Sequence, residues 1–213
     1  RAIGDGTNTK SSYVMRRLTV LLAFLTAIIM NLGVDAHGPN QKNKETASIT
    51  SNRGPFELVT HTGKTVTDQD YLGKFMLVYF GHTHCPDVCP IDLQIVSEVV
   101  YMLGKDSAKV QPLFVTVDPA RDTVKVMADY VKHFHPRLIG LTGTKKQITS
   151  AAEIYRMQSR KSVPQDAEPG EYLIDHSAAI VLIGPDGGGV SLFPHGIAAK
   201  DIAADIERFI KPR

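Results

Sequence analysis

The chain is poor in cysteine and in net charge, and both shortages exclude classes of protein. Only two of its 213 residues are cysteines and none is tryptophan. Two thiols can form one disulfide at most, so this is not a domain that several bridges hold together. The 24 basic and 22 acidic residues nearly cancel, and no basic block is interleaved with aromatic residues. We therefore expect no nucleic-acid partner.

Long apolar runs are equally scarce, since the chain contains one, close to its N-terminus. Arg16 and Arg17 precede an apolar run over residues 18–34, and "VDA" follows. A basic start, an apolar centre and small residues before a cleavage point are typical of a secretory signal. We therefore interpret residues 15–36 as a signal peptide, cut after Ala36, or as a membrane anchor. A spanning helix needs about 20 apolar residues, so the run falls slightly short. An uncleaved segment would associate with a membrane through residues 18–34.

The rest of the chain divides into a linker and one domain. Residues 1–14 begin without methionine, and we interpret them as a non-native or upstream segment. Residues 37–54 are polar and lack periodicity, which predicts a linker. The length beyond residue 36 suffices for one domain with a proper core and is too short for two. We therefore expect a single folded domain over residues 55–213.

Strand patterns recur along this domain. Two short segments around a turn that contains Gly63 predict an N-terminal hairpin. Continuous apolar runs at 75–80 and 110–117 are typical of strands that are covered on both faces. Further strands are predicted at 137–143, at 178–183 and, as an antiparallel partner of the latter, at 190–193.

Helix patterns alternate with these strands. The first helix follows the cysteines, and its inward face is predicted from apolar residues that recur every four positions: Ile91, Ile95, Val99 and Leu103. The other helices are predicted at 121–134, where Pro136 ends the element, at 145–157 and at 199–210. The alternation predicts an α/β fold, with a central mixed sheet flanked by helices and an N-terminal hairpin. The cysteines lie at a strand-to-helix junction, as in the thioredoxin-like fold.

The stretch "GHTHCPDVCP" contains both cysteines, Cys85 and Cys89, and permits three interpretations. They could form a structural disulfide, a redox-active disulfide pair or two thiolate ligands of a metal. A structural bridge would enclose only three residues, and in the chain-entropy model so short a loop adds little stability. Thioredoxin-type redox pairs have two residues between the cysteines rather than three. Residues four apart lie on one helical face, so both sulfurs can point into one pocket, which suits a shared metal at least as well as fast exchange.

A metal at two thiolates needs further ligands, and the chain has eight histidines to supply them. Two thiolates and one imidazole form a soft site that suits copper, because Cu(I) accepts low coordination numbers. Zinc would require four protein ligands in a structural site, or three and a water in a catalytic one. The spacing of the cysteines alone leaves both the redox and the metal interpretation open.

Four segments, "YFGHTHCPDVCP", "LFVTVDPARDT", "LIGLTGT" and "YLIDHSAAIVLIGPDG", occur in an order that resembles the Sco/SenC family. Members of that family are thioredoxin-like copper proteins that help to assemble the dicopper centre of cytochrome c oxidase. The resemblance implies a thioredoxin-like fold, and copper, as Cu(I) or Cu(II), bound by Cys85, Cys89 and His176. The family usually has an apolar or aromatic residue where His82 stands. The role of His82 is therefore open: it could be a spare ligand, a polar residue at the rim of the site or a residue without a role.

The resemblance implies a copper metallochaperone and not an enzyme in the strict sense. The expected partner is the copper-bearing subunit of cytochrome c oxidase, with other copper chaperones or thiol reductants as further partners. A second hypothesis is a thiol-disulfide reductase that keeps the cysteines of that subunit reduced for metallation. The expected location is the periplasmic side of an inner membrane, anchored or soluble after cleavage, or the mitochondrial inner membrane in a eukaryote.

Charged residues near these motifs are candidates for supporting roles. In "VDPARDT", Asp118 follows a predicted strand, and Arg121 and Asp122 open a predicted helix, at a strand end of the kind where functional groups of α/β sheets gather. We expect these three to contact a partner or to tune the thiolates, and helix capping is the alternative for the two acids. Asp175 is expected to orient His176 as a hydrogen-bond acceptor, or else to be a solvated acid.

Two further expectations concern residues outside the implied ligand set. Asp87, between the cysteines, is expected to hold the loop or to face a partner. Five further histidines are expected at the surface, because four of them lie in turn-like sequence or near a helix end, where cationic imidazoles are favourable, and the backbone direction before Cys85 points His84 away from the pocket. They are His61, His84, His133, His135 and His195.

Overall fold

The computed structural model describes residues 54–211 of the chain. The predictions for residues 1–14, for residues 15–36 and for nearly all of the linker lie outside the described residues. Within the described part, no helix is both long enough and apolar enough to cross a membrane.

A seven-stranded mixed sheet forms the centre of the domain. Numbered along the chain, its strands are β1 (Glu57–Thr60), β2 (Thr65–Thr67), β3 (Phe75–Gly81), β4 (Val110–Thr116), β5 (Ile139–Thr142), β8 (Ala179–Ile183) and β9 (Gly189–Pro194). The two remaining strands, β6 (Ser159–Ser162) and β7 (Leu173–His176), form a separate two-stranded sheet. The order across the sheet is β2, β1, β5, β4, β3, β8, β9. β3 pairs in parallel with β4 and antiparallel with β8, which confirms the predicted mixed sheet. The predicted N-terminal hairpin is also confirmed, since β1 and β2 pair antiparallel.

Helices cover both faces of this sheet. They are α1 (Val88–Met102), α2 (Val124–Val131), α3 (Lys145–Ile154) and α4 (Ala199–Ile210), close to the predicted positions. Leu77 and Tyr79 of β3 pack in one buried cluster with α1, α2 and α4, whereas Met76 and Val78 pack in a second cluster with α3. Successive residues of a strand point to opposite faces, so both sets must be apolar. The continuous apolar run at β3 follows from this double coverage.

The buried face of α1 differs from the prediction at its N-terminal end. Val99 and Leu103 are buried as predicted, but Ile95 is half-buried and Ile91 is 47% exposed. The side chains that α1 buries near its start are instead Cys89, Asp92, Leu93 and Val96. A helix has 3.6 residues per turn, so a strict four-residue repeat drifts by about 40° at each step. Over three steps the drift carries Ile91 out of the core.

The strand and helix patterns of the sequence do not predict the hairpin of β6 and β7. It stands apart from the central sheet, with Ser159 opposite His176 and Ser162 opposite Leu173. Ser159, Arg160 and Lys161 are exposed, so β6 has no apolar face that an alternating pattern could reveal. His176 is the last residue of this hairpin, so the hairpin determines where that imidazole lies.

Candidate metal centre

Three elements meet at one end of the central strand β3. His82 directly follows β3, Cys85 lies in the loop after it, Cys89 is the second residue of α1, and His176 ends β7. Each of the four offers one donor atom, and these atoms all lie within 4.8 Å of one another. Among the residues that the structure describes, this is the group of histidine, cysteine and acidic side chains that could hold a metal ion.

The two cysteines differ in their surroundings. Both are free thiols; Cys85 is half-buried, while Cys89 is completely buried. Cys85 precedes the helix, so the expectation that one helical face carries both sulfurs is wrong in detail, although both sulfurs do face the same site. Pro90 lies in the first turn of α1, where a missing N–H leaves no hydrogen bond unmade. The helix can therefore begin between the two cysteines.

Burial controls the chemistry of the Cys89 thiol. Burial raises its pKa to about 12, although the backbone N–H of His82 opposes this shift. The sulfur also lies against the backbone of Gly81, where an added Cβ atom would come within 2.8 Å of Sγ. Real Cβ contacts are not that short, so glycine at position 81 makes the room that the Cys89 sulfur occupies. Cys89 is thus a protonated thiol in a close-fitting pocket until a cation displaces the proton.

His176 presents one ring nitrogen to this sulfur. Its Nε2 atom lies 3.2 Å from Cys89 Sγ, and its Nδ1 atom lies 3.2 Å from the Ser177 carbonyl oxygen. A carbonyl can only accept, so Nδ1 donates the hydrogen bond and Nε2 retains its lone pair. Burial lowers the pKa of His176, against the opposing effect of the Ser177 carbonyl. The neutral imidazole is therefore oriented as a metal ligand.

Asp175 does not supply the hydrogen bond that was expected of it. The side chain is exposed and pairs with Arg160 at 3.8 Å, while the Ser177 carbonyl takes the place of the acceptor at His176 Nδ1. Adjacent residues of a strand point to opposite sides, so Asp175 and His176 cannot both face the site. A contact between Asp175 and a partner stays a prediction.

His82 lies inside the group and not on its rim. It is 5% exposed, and the centre of its ring is 5.6 Å from that of His176. Burial lowers the pKa of His82, and the neighbouring His176 lowers it further. The Nδ1 atom is buried without a hydrogen-bond partner among residues 54–211. A buried polar atom left without a partner costs about 1–3 kcal/mol, so this position requires an explanation.

Asp118 and Arg121 attach the β6–β7 hairpin to the domain. Arg121 Nε donates to Asp118 Oδ2, and the Tyr172 hydroxyl donates to Asp118 Oδ1 at 2.8 Å. Arg121 Nη1 also donates to the Tyr172 carbonyl at 3.1 Å, and the guanidinium carbon lies 3.8 Å from the centre of the Tyr172 ring. Lys161 Nζ lies 3.4 Å from the same centre. We call Asp118, Arg121, Tyr172 and Lys161 the hairpin clasp, because they anchor the strands that carry His176.

Asp122 has a different structural role from the capping that was considered. It is fully buried and accepts hydrogen bonds from the Thr83 backbone at 3.1 Å, the Thr83 hydroxyl at 2.6 Å and the Thr116 hydroxyl at 2.5 Å. The side chain that caps α2 is Thr123, which accepts from the backbone N–H of Val126. The interpretation of Asp122 as a cap is therefore wrong. Asp122 instead ties the loop between His82 and Cys85 to the end of β4.

The expectation of surface histidines holds for two of the five. His84 and His133 are exposed. His135 is 9% exposed and packs on Tyr101, so its surface assignment is wrong. His61 and His195 are half-buried, and each has a specific partner: His61 Nδ1 accepts from the Gly140 backbone, and His195 Nδ1 lies 2.9 Å from Asp92 Oδ1.

Asp87 is exposed at the start of α1, where its side chain makes no capping hydrogen bond within the described structure. It therefore does not hold the loop in the way a capping side chain would. A contact between Asp87 and a partner stays a prediction.

The sequence patterns did not identify three residues that shape the surroundings of the site. Gly81 could have been suspected, because it interrupts an apolar run directly before the histidines and cysteines. Asp92 is fully buried one turn after Cys89, and an acid inside a helix pattern usually indicates a solvated face. Tyr172 lies in a stretch without periodicity, so no local signal indicates its contacts across the site.

Comparisons with known proteins identify the family and the fold of the chain. A family model described as SCO1/SenC matches residues 44–211. The structure of Bradyrhizobium japonicum ScoI with copper bound is 43% identical, with a TM-score of 0.68, and the match covers 74% of this chain and 98% of that one. The structure of Arabidopsis thaliana ScoI with copper bound is 37% identical, also with a TM-score of 0.68, and the match covers 75% of this chain and 98% of that one. These matches confirm the predicted thioredoxin-like α/β fold.

Curated relatives include two mitochondrial proteins. The SCO1 homolog of Homo sapiens is 44% identical over 161 residues, which is 75% of this chain and 53% of that protein. The SCO2 homolog of Danio rerio is 42% identical over 173 residues, which is 80% of this chain and 61% of that protein. The match to this chain thus spans little more than half the length of these relatives.

Proposed function

Since this chain belongs to the SCO1/SenC family, we propose that it binds one copper ion through Cys85, Cys89 and His176 and delivers it to the copper-bearing subunit of cytochrome c oxidase. The observation that carries this proposal is the convergence of these side chains. His176 Nε2 lies 3.2 Å from Cys89 Sγ although 87 residues separate them, and Cys85 joins the same group of donors. Relatives of 43% and 37% identity, whose structures are described as copper-bound, support copper as the ion.

The donor atoms fit a soft monovalent ion. Two thiolates and an imidazole suit Cu(I), which accepts low coordination numbers. The Ser177 carbonyl keeps the lone pair of His176 Nε2 directed at the site. Copper arriving at Cys89 displaces the thiol proton, because only the thiolate is a ligand. The high pKa of this thiol, about 12, keeps Cys89 itself protonated and neutral at physiological pH until the ion binds.

Delivery of the ion requires an exposed ligand where exchange can begin. Cys85 is half-buried in the loop, whereas Cys89 is completely buried behind it. A cavity of about 1210 Å³ lies between α3 and the β6–β7 hairpin and reaches His176. An incoming thiolate of the partner would displace the more accessible ligands first and Cys89 last. Exposed Asp87 and Ile91 lie next to the cysteines and are the side chains that we expect the partner to contact.

We expect the protein to act at an inner membrane. The curated relatives are named as mitochondrial proteins, which supports the mitochondrial inner membrane, and the periplasmic side of an inner membrane is the alternative in a bacterium. Residues 18–34 would supply membrane association if the segment at 15–36 is not cleaved. Other copper chaperones or thiol reductants would then load or reduce the site before delivery.

A second candidate function is reduction of the partner's cysteines. It is favoured by the pairing of a half-exposed thiol, Cys85, with a second thiol close behind it, as exchange through a mixed disulfide requires. The oriented imidazole of His176 argues for copper, because a dithiol exchanger does not need it. The raised pKa of Cys89 argues in the same direction, since Cys89 would have to lose its proton before it could resolve the mixed disulfide.

The decisive experiment compares copper retention by the parent chain with that of His176→Ala, under reducing and anaerobic conditions and in competition with a Cu(I) chelator. We expect the parent to retain one copper per chain and His176→Ala to lose at least about tenfold in affinity, while its two thiols still form and break a disulfide. His84→Ala is the matched control, because His84 is an exposed imidazole next to Cys85. Equal retention by His176→Ala and the parent would overturn the ligand assignment and favour the reductase.

A further inference from the structure

His82 is a buried imidazole for which the surrounding protein supplies no use. Its ring is almost completely inaccessible, and its Nδ1 atom has no hydrogen-bond partner within the described chain. Buried polar atoms of folded proteins are almost always hydrogen-bonded, so an exception needs a specific reason. A structural histidine would be expected to resemble His135 or His61, each of which accepts a backbone N–H at Nδ1.

The surroundings of His82 are those of a metal ligand. Its donor atom lies within 4.8 Å of the sulfurs of Cys85 and Cys89 and of a nitrogen of His176. The rings of His82 and His176 meet at 83°, edge to face, so they are not stacked on each other. The backbone on either side is held in place, since the Cys85 N–H donates to the His82 carbonyl at 3.3 Å and Asp122 binds Thr83. The imidazole is therefore positioned beside the other donors by the fold itself.

We propose that His82 is a fourth metal ligand, which completes with Cys85, Cys89 and His176 a site of two thiolates and two imidazoles for divalent first-row ions. This inference rests on the proposed three-ligand copper site and extends it. It gives a function to a buried imidazole that lies among the other donors and has an unsatisfied ring nitrogen within residues 54–211.

The distances are compatible with a four-coordinate ion. Metal–sulfur bonds of about 2.3 Å and metal–nitrogen bonds of about 2.0–2.1 Å in a tetrahedron separate the donors by about 3.3–3.8 Å. The four donor atoms lie within 4.8 Å of one another, and the distance from Cys89 Sγ to His176 Nε2 is 3.2 Å. Shifts of about 1 Å in the donor atoms would therefore bring them to tetrahedral separations.

A fourth ligand changes which ions the site can hold. Cu(I) is satisfied by two thiolates and one imidazole, so the loss of His82 should affect it little. Zn²⁺ and Co²⁺ in closed protein sites take four protein ligands, so they should depend on His82 as strongly as on His176. The presence of His82 thus predicts that this chain binds divalent ions that a three-ligand site would hold weakly.

The test is a Co²⁺ titration of the reduced full chain under anaerobic conditions, followed by visible absorption. Tetrahedral Co²⁺ with four protein ligands absorbs far more strongly in the ligand-field region than Co²⁺ that keeps several waters, and sulfur-to-cobalt bands report the thiolates separately. We expect His82→Phe, which keeps a planar ring, to lose the strong ligand-field bands and at least about tenfold in Co²⁺ affinity. Its Cu(I) affinity should change by less than about threefold. His84→Phe removes an exposed imidazole two residues away and should match the parent in both respects.

A second measurement does not depend on any variant folding. In long-range proton–nitrogen spectra of the parent, Zn²⁺ should shift a ring nitrogen of both His82 and His176 to the value of a metal-bound imidazole. A shift of His176 alone, or cobalt spectra that are the same for His82→Phe and the parent, would overturn the inference and leave the three-ligand site intact. If His176→Ala also left all metal binding unchanged, the proposed copper site itself would be wrong.

Discussion

The two halves of the metal centre are built in different ways. One half comprises the end of β3, the loop with Cys85 and the start of α1, and it stands on a strand whose residues are all buried. The other half is the β6–β7 hairpin, which carries His176 on a separate two-stranded sheet. The first half is held by the core of the domain and the second by the hairpin clasp. The thiols are therefore held by packing, whereas the position of the imidazole depends on the polar contacts of the clasp, in which Asp118 is buried.

This difference suggests how the site can bind an ion firmly and still release it. Cys89 cannot move without disturbing the packing around Gly81, so it should remain attached until the last step of exchange. His176 can leave if the hairpin moves, and that movement requires the contacts of Tyr172 with Asp118 and Arg121 to open. Local openings of this kind occur where few apolar contacts hold a segment.

The strongest test of the comparison is Gly81→Ala, which disturbs the half of the metal centre that is held by packing. The new methyl group would lie 2.8 Å from Cys89 Sγ and 2.8 Å from Tyr79 Cε1, so both must shift. We expect a loss of about 1–3 kcal/mol in the free energy of unfolding, measured in urea. Cu(I) affinity, measured by chelator competition, should fall by at least about tenfold.

A double-mutant cycle provides the control for this clash. Adding Gly81→Ala to Cys89→Ala should cost less stability than adding it to the parent, because the sulfur that it meets is gone. Equal costs in the two backgrounds would mean that Gly81 does not shape the sulfur pocket.

A smaller effect is expected from Tyr172→Phe, which weakens the half that is held by the clasp. The variant loses the hydrogen bond from the hydroxyl to Asp118 but keeps the ring under Arg121 and Lys161. We expect a loss of about 1 kcal/mol in stability, faster hydrogen exchange of the β7 amides and a fall of about fivefold in Cu(I) affinity.

Tyr101→Phe is the matched control for the clasp. It removes the same hydroxyl from a side chain that is 64% exposed on α1 and packs on His135. It should change neither β7 exchange nor copper affinity. If Tyr172→Phe behaved in the same way, the clasp would not determine the position of His176.

The smallest effect concerns the pH dependence of the metal-free chain. Burial lowers the pKa of His82 and of His176 below the ordinary value of 6.5. Unfolded imidazoles therefore take up protons near that value, and the folded ones only at lower pH. Stability should fall as the pH drops through 6.5, by at most about 1.4 kcal/mol per pH unit for each such histidine.

Urea midpoints at pH 7.5, 6.5 and 5.5 would measure this slope. His82→Phe and His176→Phe should each flatten it, because burial lowers the pKa of both imidazoles. His61 and His135 also have lowered pKa values and should leave part of the slope in every variant. A slope unchanged in His82→Phe would show that this imidazole is not buried in solution as it is in the structure.

The sequence predicted the thiolate half much better than the imidazole half. Strand β3, helix α1 and the cysteines between them are local features, because apolar runs, periodicity and spacing can be read within about 30 residues. His176 could be assigned only through the family resemblance, since the polar hairpin around it carries no periodic signal. The prediction that Ile91 lies on the inward face of α1 was wrong, because a four-residue repeat does not match the 3.6 residues of a helical turn. The capping assignment of Asp122 failed because Thr123 takes that role.

What the sequence alone determined is the α/β alternation, the dithiol at a strand-to-helix junction and the soft chemistry that two thiols and a histidine can perform. These follow from short-range patterns, in which each residue type has a preferred structure or reactivity wherever it occurs. Only the tertiary structure decided that His176 orients toward Cys89 through the Ser177 carbonyl, that Asp118 and Arg121 hold Tyr172, and that His82 is buried within reach of the sulfurs. Such contacts join residues that are far apart in the chain, as the separation of 87 residues between Cys89 and His176 shows. They depend on distances and burial that exist only once the sheet, the helices and the hairpin have packed together.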